Sequence, residues 1–288
     1  MKHPSPLRYP GGKTSLHNEL GCIIRANRLQ RGHYAEPYAG GGGLALSLLY
    51  DGHADEIHLN DIDRSIASFW KSILHFTDDF IEKIEVSTID IEEWQRQREI
   101  FVNQNDEDTL SLGFAAFFLN RTNRSGVIKG GGVIGGLAQE GNYKIDCRFN
   151  KVSLVDKIKR ISKYKERIHF SNLDAIEFMA QLDKDLPERS IFCIDPPYFR
   201  KGSKLYTSFY NPADHQKVRD CVANLSKPWV LTYDSDPEIH RLYRNYRQLG
   251  LGIQYSLQEK KIGSEVLIPS KGLRIPSAIR GEAQKLSA

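Results

Sequence analysis

Short apolar runs bounded by turn residues recur along the chain. Seven of them read as strands because they are rich in β-branched and aromatic residues: 33–39, 56–61, 168–174, 190–195, 229–233, 253–257 and 265–268. Between them the apolar spacing changes to that of a helix face. Ala175, Phe178, Met179 and Leu182 fall on one side of a helix, as do Val218, Cys221, Val222 and Leu225. Alternation of this kind implies a mostly parallel sheet with helices on both faces. The last two strands are joined only by Gln258–Ser264, too short for a crossover, so they are expected to form a C-terminal antiparallel hairpin.

One interval breaks the alternation. Between Asp61 and Ile168 the pattern gives helices over 66–74, 91–101 and 112–119, then a glycine-rich stretch, Ser125–Gly136. This reads as an inserted, mainly helical module, with the glycines suiting a mobile hairpin or loop. The expected division is 1–62 with 166–270 as one domain, 63–165 as the insert, and 271–288 as a basic tail.

Composition narrows the class. The 288 residues are 40% hydrophobic, enough for one substantial core with a smaller module. The longest apolar stretches, such as Phe114–Leu119, fall far short of the roughly 20 residues a membrane helix needs. Residues 1–10 lack a secretory apolar run, which predicts a cytoplasmic protein. Cys22, Cys147, Cys193 and Cys221 stand apart without a Cys-x-x-Cys pair, and the nine histidines show no His-x-x-x-His spacing, so no metal is expected. Net charge is +4, but lysine and arginine outnumber the acids by eight between Ser111 and Phe170. A polyanion partner suits that stretch, although a basic segment alone is as often a solvated face.

Three motifs carry chemistry. Glu36-Pro37-Tyr38-Ala39-Gly40-Gly41-Gly42-Gly43 ends the first strand and leads into a helix, with Asp61 about 20 residues on. Glycines there let a cofactor approach the backbone, and the motif alone fits NAD, flavin or S-adenosylmethionine equally. Asp195-Pro196-Pro197-Tyr198 follows a fully apolar strand. Two prolines hold the strand's end rigidly, so Asp195 and the Pro196 carbonyl can each accept a hydrogen from an exocyclic amine while Tyr198 stacks on the base. A rigid turn with a capping aspartate is the simpler alternative. The third motif, Leu7-Arg8-Tyr9-Pro10-Gly11-Gly12-Lys13, precedes a helix that starts near Thr14. A lysine there opposes the helix dipole unless it serves a ligand such as a cofactor carboxylate, or it is a surface residue beside a turn.

In this order, and with Asn120-Arg121-Thr122-Asn123-Arg124-Ser125-Gly126 among them, the motifs resemble the Dam-like family of DNA adenine-N6 methyltransferases over Leu7 to about Ile268. The resemblance implies a Rossmann-like class I methyltransferase sheet of seven strands and S-adenosylmethionine as cofactor. It implies cofactor contacts from Tyr9, Gly12, Lys13, Glu36, Pro37, Tyr38, Gly40, Gly42, Asp61, Asp174 and Asp195. Asp195, Pro196, Pro197 and Tyr198 become the catalytic tetrapeptide, acting on an adenine flipped from double-stranded DNA. The insert becomes the target-recognition domain, with Asn120, Arg121, Arg124 and Lys129 on DNA. The family's usual aromatic-Asn-Gly continuation is replaced here by Asn123-Arg124-Ser125-Gly126 and the glycine-rich loop, so the recognition sequence does not transfer. A monomer is expected. Alternatives are an RNA adenine-N6 methyltransferase, a cytosine-N4 enzyme, a catalytically silent DNA-binding regulator and an oxidoreductase. The intact tetrapeptide disfavours the last two.

Overall fold

The computed structural model describes residues 3–8, 12–103, 108–199, 210–254, 262–277 and 279. Its strands are β1 (Gly32–Glu36), β2 (Ala54–Asn60), β3 (Ile168–Ser171), β4 (Ser190–Ile194), β5 (Trp229–Asp234), β6 (Leu249–Gln254) and β7 (Ile262–Pro269). They form one sheet in the order β3-β2-β1-β4-β5-β7-β6. The first five are parallel, and β7 runs antiparallel to both β5 and β6. This is the seven-stranded class I methyltransferase sheet that the resemblance implied. β6 starts at Leu249, ahead of its expected place, because Gly250 and Gly252 dilute the alternation of Leu249, Leu251 and Ile253. The remainder of the expected strand, Tyr255–Leu257, lies outside the described residues.

Helices cover both faces. A 3₁₀ turn over Lys13–Leu16 leads into α1 (His17–Ala26), and α2 (Gly43–Tyr50) follows β1. α8 (Ala175–Asp185) links β3 to β4, while α9 (Pro212–Asn224) and α10 (Pro237–Leu242) flank β5. α9 opens with a capping box, in which the Asn211 and Asp214 side chains each bond the other's backbone, and with Pro212 in its first turn.

Between β2 and β3 run α3 (Arg64–His75), α4 (Thr77–Val86), α5 (Ile91–Val102), α6 (Thr109–Thr122) and α7 (Lys151–Ser162). α4 and α7 were not expected. α7 nevertheless carries a helical stripe of Leu154, Val155, Ile158 and Ile161, all buried. Phe69, Phe80, Phe114 and Phe117 interlock at ring distances of 5.4–6.2 Å. They share one continuous core with Ile57 and Leu59 of β2, whereas Ala35, Phe192 and Leu231 belong to the core on the other face of the sheet. The glycine-rich stretch is tied back on itself. Asn123 bridges Val133, Arg124 N–H donates to the Gly132 carbonyl, and the Asn123 side-chain amide donates to the Val127 carbonyl.

Candidate active site

The carboxyl ends of β1, β2 and β4 meet at one edge of the sheet, where open α/β folds bind ligands. Leaving β1, the chain turns through Gly40 (φ 48°) and Gly42 (φ 57°), both left-handed. At Gly42 a Cβ would come within 2.7 Å of the Trp70 ring, so the position is closed by packing as well as by conformation. Trp70 also donates its indole N–H to the Gly40 carbonyl at 2.9 Å. The buried Asp61 accepts the Gly40 N–H on one oxygen and the Asp63 N–H on the other, both at 2.9 Å. Burial pushes Asp61 up to about 7 despite these donors. Glu36 lies beneath the turn, where its Oε1 accepts the Tyr34 hydroxyl and the Ala45 N–H at 2.9 and 3.1 Å. Burial raises it to about 8. Asn60, fully buried, ties three strand ends together: it donates to the carbonyls of Pro37 and Leu173 and accepts the Leu173 N–H.

Beside this turn, β4 delivers Asp195. Its Oδ1 accepts the Thr232 hydroxyl from β5 and its Oδ2 accepts Lys13 Nζ, both at 2.7 Å. Lys13 is 7% exposed and reaches two further groups, the Tyr198 hydroxyl at 3.3 Å and Glu265 of β7 at 3.6 Å. Tyr198 donates its hydroxyl to Glu265 Oε1 at 2.6 Å. Two carboxylates and a phenol therefore converge on one buried ammonium. Burial raises Glu265 above the ordinary carboxylate range, against the lowering by Lys13 and with a further rise from Asp195. Its Oε2 is buried with no hydrogen-bond partner among the described residues. An orphaned acceptor beside Asp195 is what a ligand's amino group would satisfy.

Residues 9–257 match the family described as D12 class N6 adenine-specific DNA methyltransferase. The chain belongs to this family. The D12 class uses S-adenosylmethionine, and the glycine turn without room for a side chain, together with the unpaired Glu265 oxygen, fits a cofactor that carries an ammonium. Among curated relatives, the chain is 24% identical over 233 residues to the type II methyltransferase M.MjaIII of Methanocaldococcus jannaschii, covering 74% of this chain and 76% of that one. Solved structures of similar shape include PH1948 of Pyrococcus horikoshii, described as an RNA methyltransferase (TM-score 0.43, 14% identity, 91% of this chain and 84% of that one). Another is a SAM-dependent methyltransferase of Agrobacterium tumefaciens (TM-score 0.40, 12% identity, 88% and 58%).

On this D12 scaffold the expected site residues fall into three groups. Lys13, Asp195 and Tyr198 come together, with Gly12 just before Lys13 and Pro196 and Pro197 buried between Asp195 and Tyr198. Gly40, Gly42 and Asp61 form the turn, and Pro37 and Glu36 brace it from below, so Glu36 is a holding residue in this arrangement. Tyr38 and Asp174 sit at the rim. The Tyr38 hydroxyl lies 3.2 Å from that of Tyr210, and the exposed Asp174 caps α8 by accepting the Ile176 N–H. Tyr9 lies outside the described residues.

Two of the expected site residues are enclosed by their own partners. Tyr198 is only 5% exposed and its hydroxyl is bonded to Glu265. Asn120 is fully buried. Its oxygen accepts the Arg8 N–H and its amide donates to the carbonyls of Arg8 and Gly126, which uses both amide hydrogens and fixes the amino-terminal segment to the glycine-rich loop. Glu265, Thr232, Trp70 and Asn60 were missed. Of these only Glu265 carried a signal, as the one acid in an otherwise apolar strand.

Proposed function

We propose that the chain transfers the methyl group of S-adenosylmethionine to N6 of an adenine flipped out of double-stranded DNA. The observation that carries this reading is Asp195, fixed by Thr232 and Lys13 at the rigid end of β4 beside the glycine turn. Each carboxylate oxygen keeps lone pairs beyond the one bond made here, so Asp195 can accept an amino hydrogen. The N6 lone pair is delocalised into the adenine ring. Acceptors at both amino hydrogens, Asp195 and the Pro196 carbonyl, favour the pyramidal nitrogen that arises only as the new C–N bond forms. The sulfonium supplies the leaving group, and the Lys13 ammonium steadies Asp195 throughout. Gly40, Gly42 and Asp61 hold the donor, and a carboxylate that already accepts two N–H groups still has capacity for a ribose hydroxyl.

A duplex as the substrate is supported by two basic surfaces built largely from 63–165, the proposed target-recognition domain, with 1–62 and 166–270 as the catalytic domain and 271–288 as a tail. Arg8, Arg121, Arg148 and Lys157 cluster closely. Burial and then neighbouring guanidinium groups lower Arg8, Arg121 and Lys157, with Arg121 near 10. No ion pair relieves these four among the described residues. Arg124 and Lys129, both exposed, line a separate cleft of about 670 Å³ with Trp94, Arg98 and the glycines 130–132. Phosphates would relieve both surfaces.

Incubation with radiolabelled cofactor and either duplex DNA or structured RNA, followed by chromatography of the digested product, tests the proposal. N6-methyladenine in the duplex is expected. Label confined to RNA, or appearing as N4-methylcytosine, would overturn it.

A further inference from the structure

A second cluster of chemically capable side chains lies away from the carboxyl-end site, on the face of the sheet formed by β1, β2 and β3. Residues two apart in a strand share a face, so Glu56 and His58 of β2 point the same way. Register brings His33 of β1 opposite Glu56 and His169 of β3 opposite His58. The four therefore meet although they lie far apart in sequence. His33 Nδ1 is 2.9 Å from His58 Nε2, and His33 Nε2 is 3.8 Å from Glu56 Oε1. His169 Nε2 is 2.7 Å from Glu56 Oε2. The His33 and His58 rings are stacked, as are those of His58 and His169.

Helix-covered faces of parallel sheets are ordinarily apolar. Here three imidazoles and a carboxylate occupy neighbouring positions on such a sheet and are partly open to solvent. Side-chain exposure is 25% at His33, 37% at Glu56 and 46% at His169. One ligand atom from each of His33, Glu56 and His58 lies within 4.8 Å of the others. Two nitrogens on one tetrahedral zinc are about 3.3 Å apart, given bonds of about 2.0–2.1 Å. The 2.9 Å pair needs only a small opening to admit an ion in place of the shared proton. Imidazole with carboxylate is a borderline donor set that selects zinc and its late first-row neighbours over magnesium or calcium.

We propose that His33, Glu56 and His58 form a zinc-class divalent-metal site that pins β1 to β2, with His169 orienting Glu56. This runs against the expectation of no metal, and the reason is geometric. Of the three proposed ligands only Glu56 and His58 are close in sequence, and strand register supplies the third. His33 stands at the start of β1, three residues before Glu36 and its turn, so the site serves the sheet and is independent of methyl transfer.

The test uses the full-length protein, stripped by a chelator and dialysed. Titration with Co²⁺ should give the intense visible d–d absorption of a tetrahedral site, saturating at one equivalent and abolished by Zn²⁺ but not by Mg²⁺. His33→Ala and Glu56→Gln should each remove that spectrum. His169→Ala should weaken affinity roughly 10–100-fold. Zn²⁺ should raise the melting temperature of the wild type and leave that of Glu56→Gln unchanged, with each variant's metal-free melting compared first so that misfolding is recognised. A wild-type protein that gives no tetrahedral Co²⁺ spectrum overturns the proposal. So does a spectrum that persists in a folded His33→Ala or Glu56→Gln variant.

Discussion

Lys13 is the residue on which the site's electrostatics turn. Its ammonium sits among Asp195, Glu265 and the Tyr198 hydroxyl, with almost no solvent to screen it. Removing one member of such a buried set leaves its partners uncompensated, which costs more than the bond itself. Asp195→Ala is expected to lower turnover by on the order of 10²–10³-fold while DNA binding is largely kept, as read by single-turnover kinetics beside a binding isotherm. Tyr198 separates two roles. A purely stacking residue would tolerate Tyr198→Phe, but the hydroxyl here supplies the bond to Glu265 Oε1, and Oε2 is already without a partner among the described residues. Tyr198→Phe should therefore lower turnover markedly, with Glu265→Gln doing the same, and the loss should be in kcat more than in KM. A Tyr198→Phe enzyme with wild-type turnover would return the residue to a role played by its ring alone. The tetrapeptide and Lys13 were visible in the sequence because each stands in a short contiguous motif. Glu265 gave only the weaker signal of a lone acid in an apolar strand, since the antiparallel β7 brings it in through a register with β5 that no local pattern announces.

At the scale of elements, the cofactor turn depends on a helix from the other side of the chain's long excursion. Trp70 of α3 packs under Gly42, bonds the Gly40 carbonyl and stacks at 6.0 Å on Phe170 of β3. Trp70→Ala should cost roughly 3–5 kcal/mol of stability through the cavity it leaves, and should weaken cofactor binding at temperatures where the protein remains folded. Calorimetry on the folded variant checks the second effect. The strands and most helices of the fold were legible because their apolar periods are clean. α4 was hidden by its polar exposed face, and the anchoring of the excursion to the sheet was hidden because Trp70 looks in sequence like any helix-core aromatic. The basic surfaces make their own prediction. Arg124→Ala and Lys129→Ala should each reduce the salt dependence of DNA affinity by about one unit in the log–log slope if each meets one phosphate, without changing cofactor affinity. DNA affinity and sequence preference that are unchanged in both variants would move the duplex elsewhere on the surface.

For the whole molecule, the brace beneath the turn has a consequence in how stability follows pH. Glu36 is buried, and both of its bonds, from the Tyr34 hydroxyl and the Ala45 N–H, fall on Oε1, which leaves the other oxygen to carry a proton. Burial is the largest influence and raises Glu36 from 4.5 to about 8, while the two donors pull the other way. Asp61 rises for the same first reason, from 3.8 to about 7. A carboxyl whose folded value is raised stays protonated in the folded chain after the unfolded chain has released its proton. Its contribution is thus fully present below the unfolded value and is lost as pH rises toward the folded one. Between its unfolded and folded values, 4.5 and about 8 for Glu36 and 3.8 and about 7 for Asp61, each group removes up to roughly 1.4 kcal/mol of stability per pH unit. The melting temperature of the cofactor-free protein should therefore fall as pH is raised through this window, in contrast to proteins whose carboxylates are held ionised by ion pairs. Glu36→Gln retains an oxygen for both donors and cannot ionise, so it should flatten the part of the slope nearest pH 8, leaving the Asp61 part below it. Melting curves at a series of pH values on the two proteins measure this directly. Parallel slopes for wild type and Glu36→Gln would show that Glu36 is ionised beneath the turn, and its charge would then have to be balanced from Lys13, the buried cation whose charge acts on it.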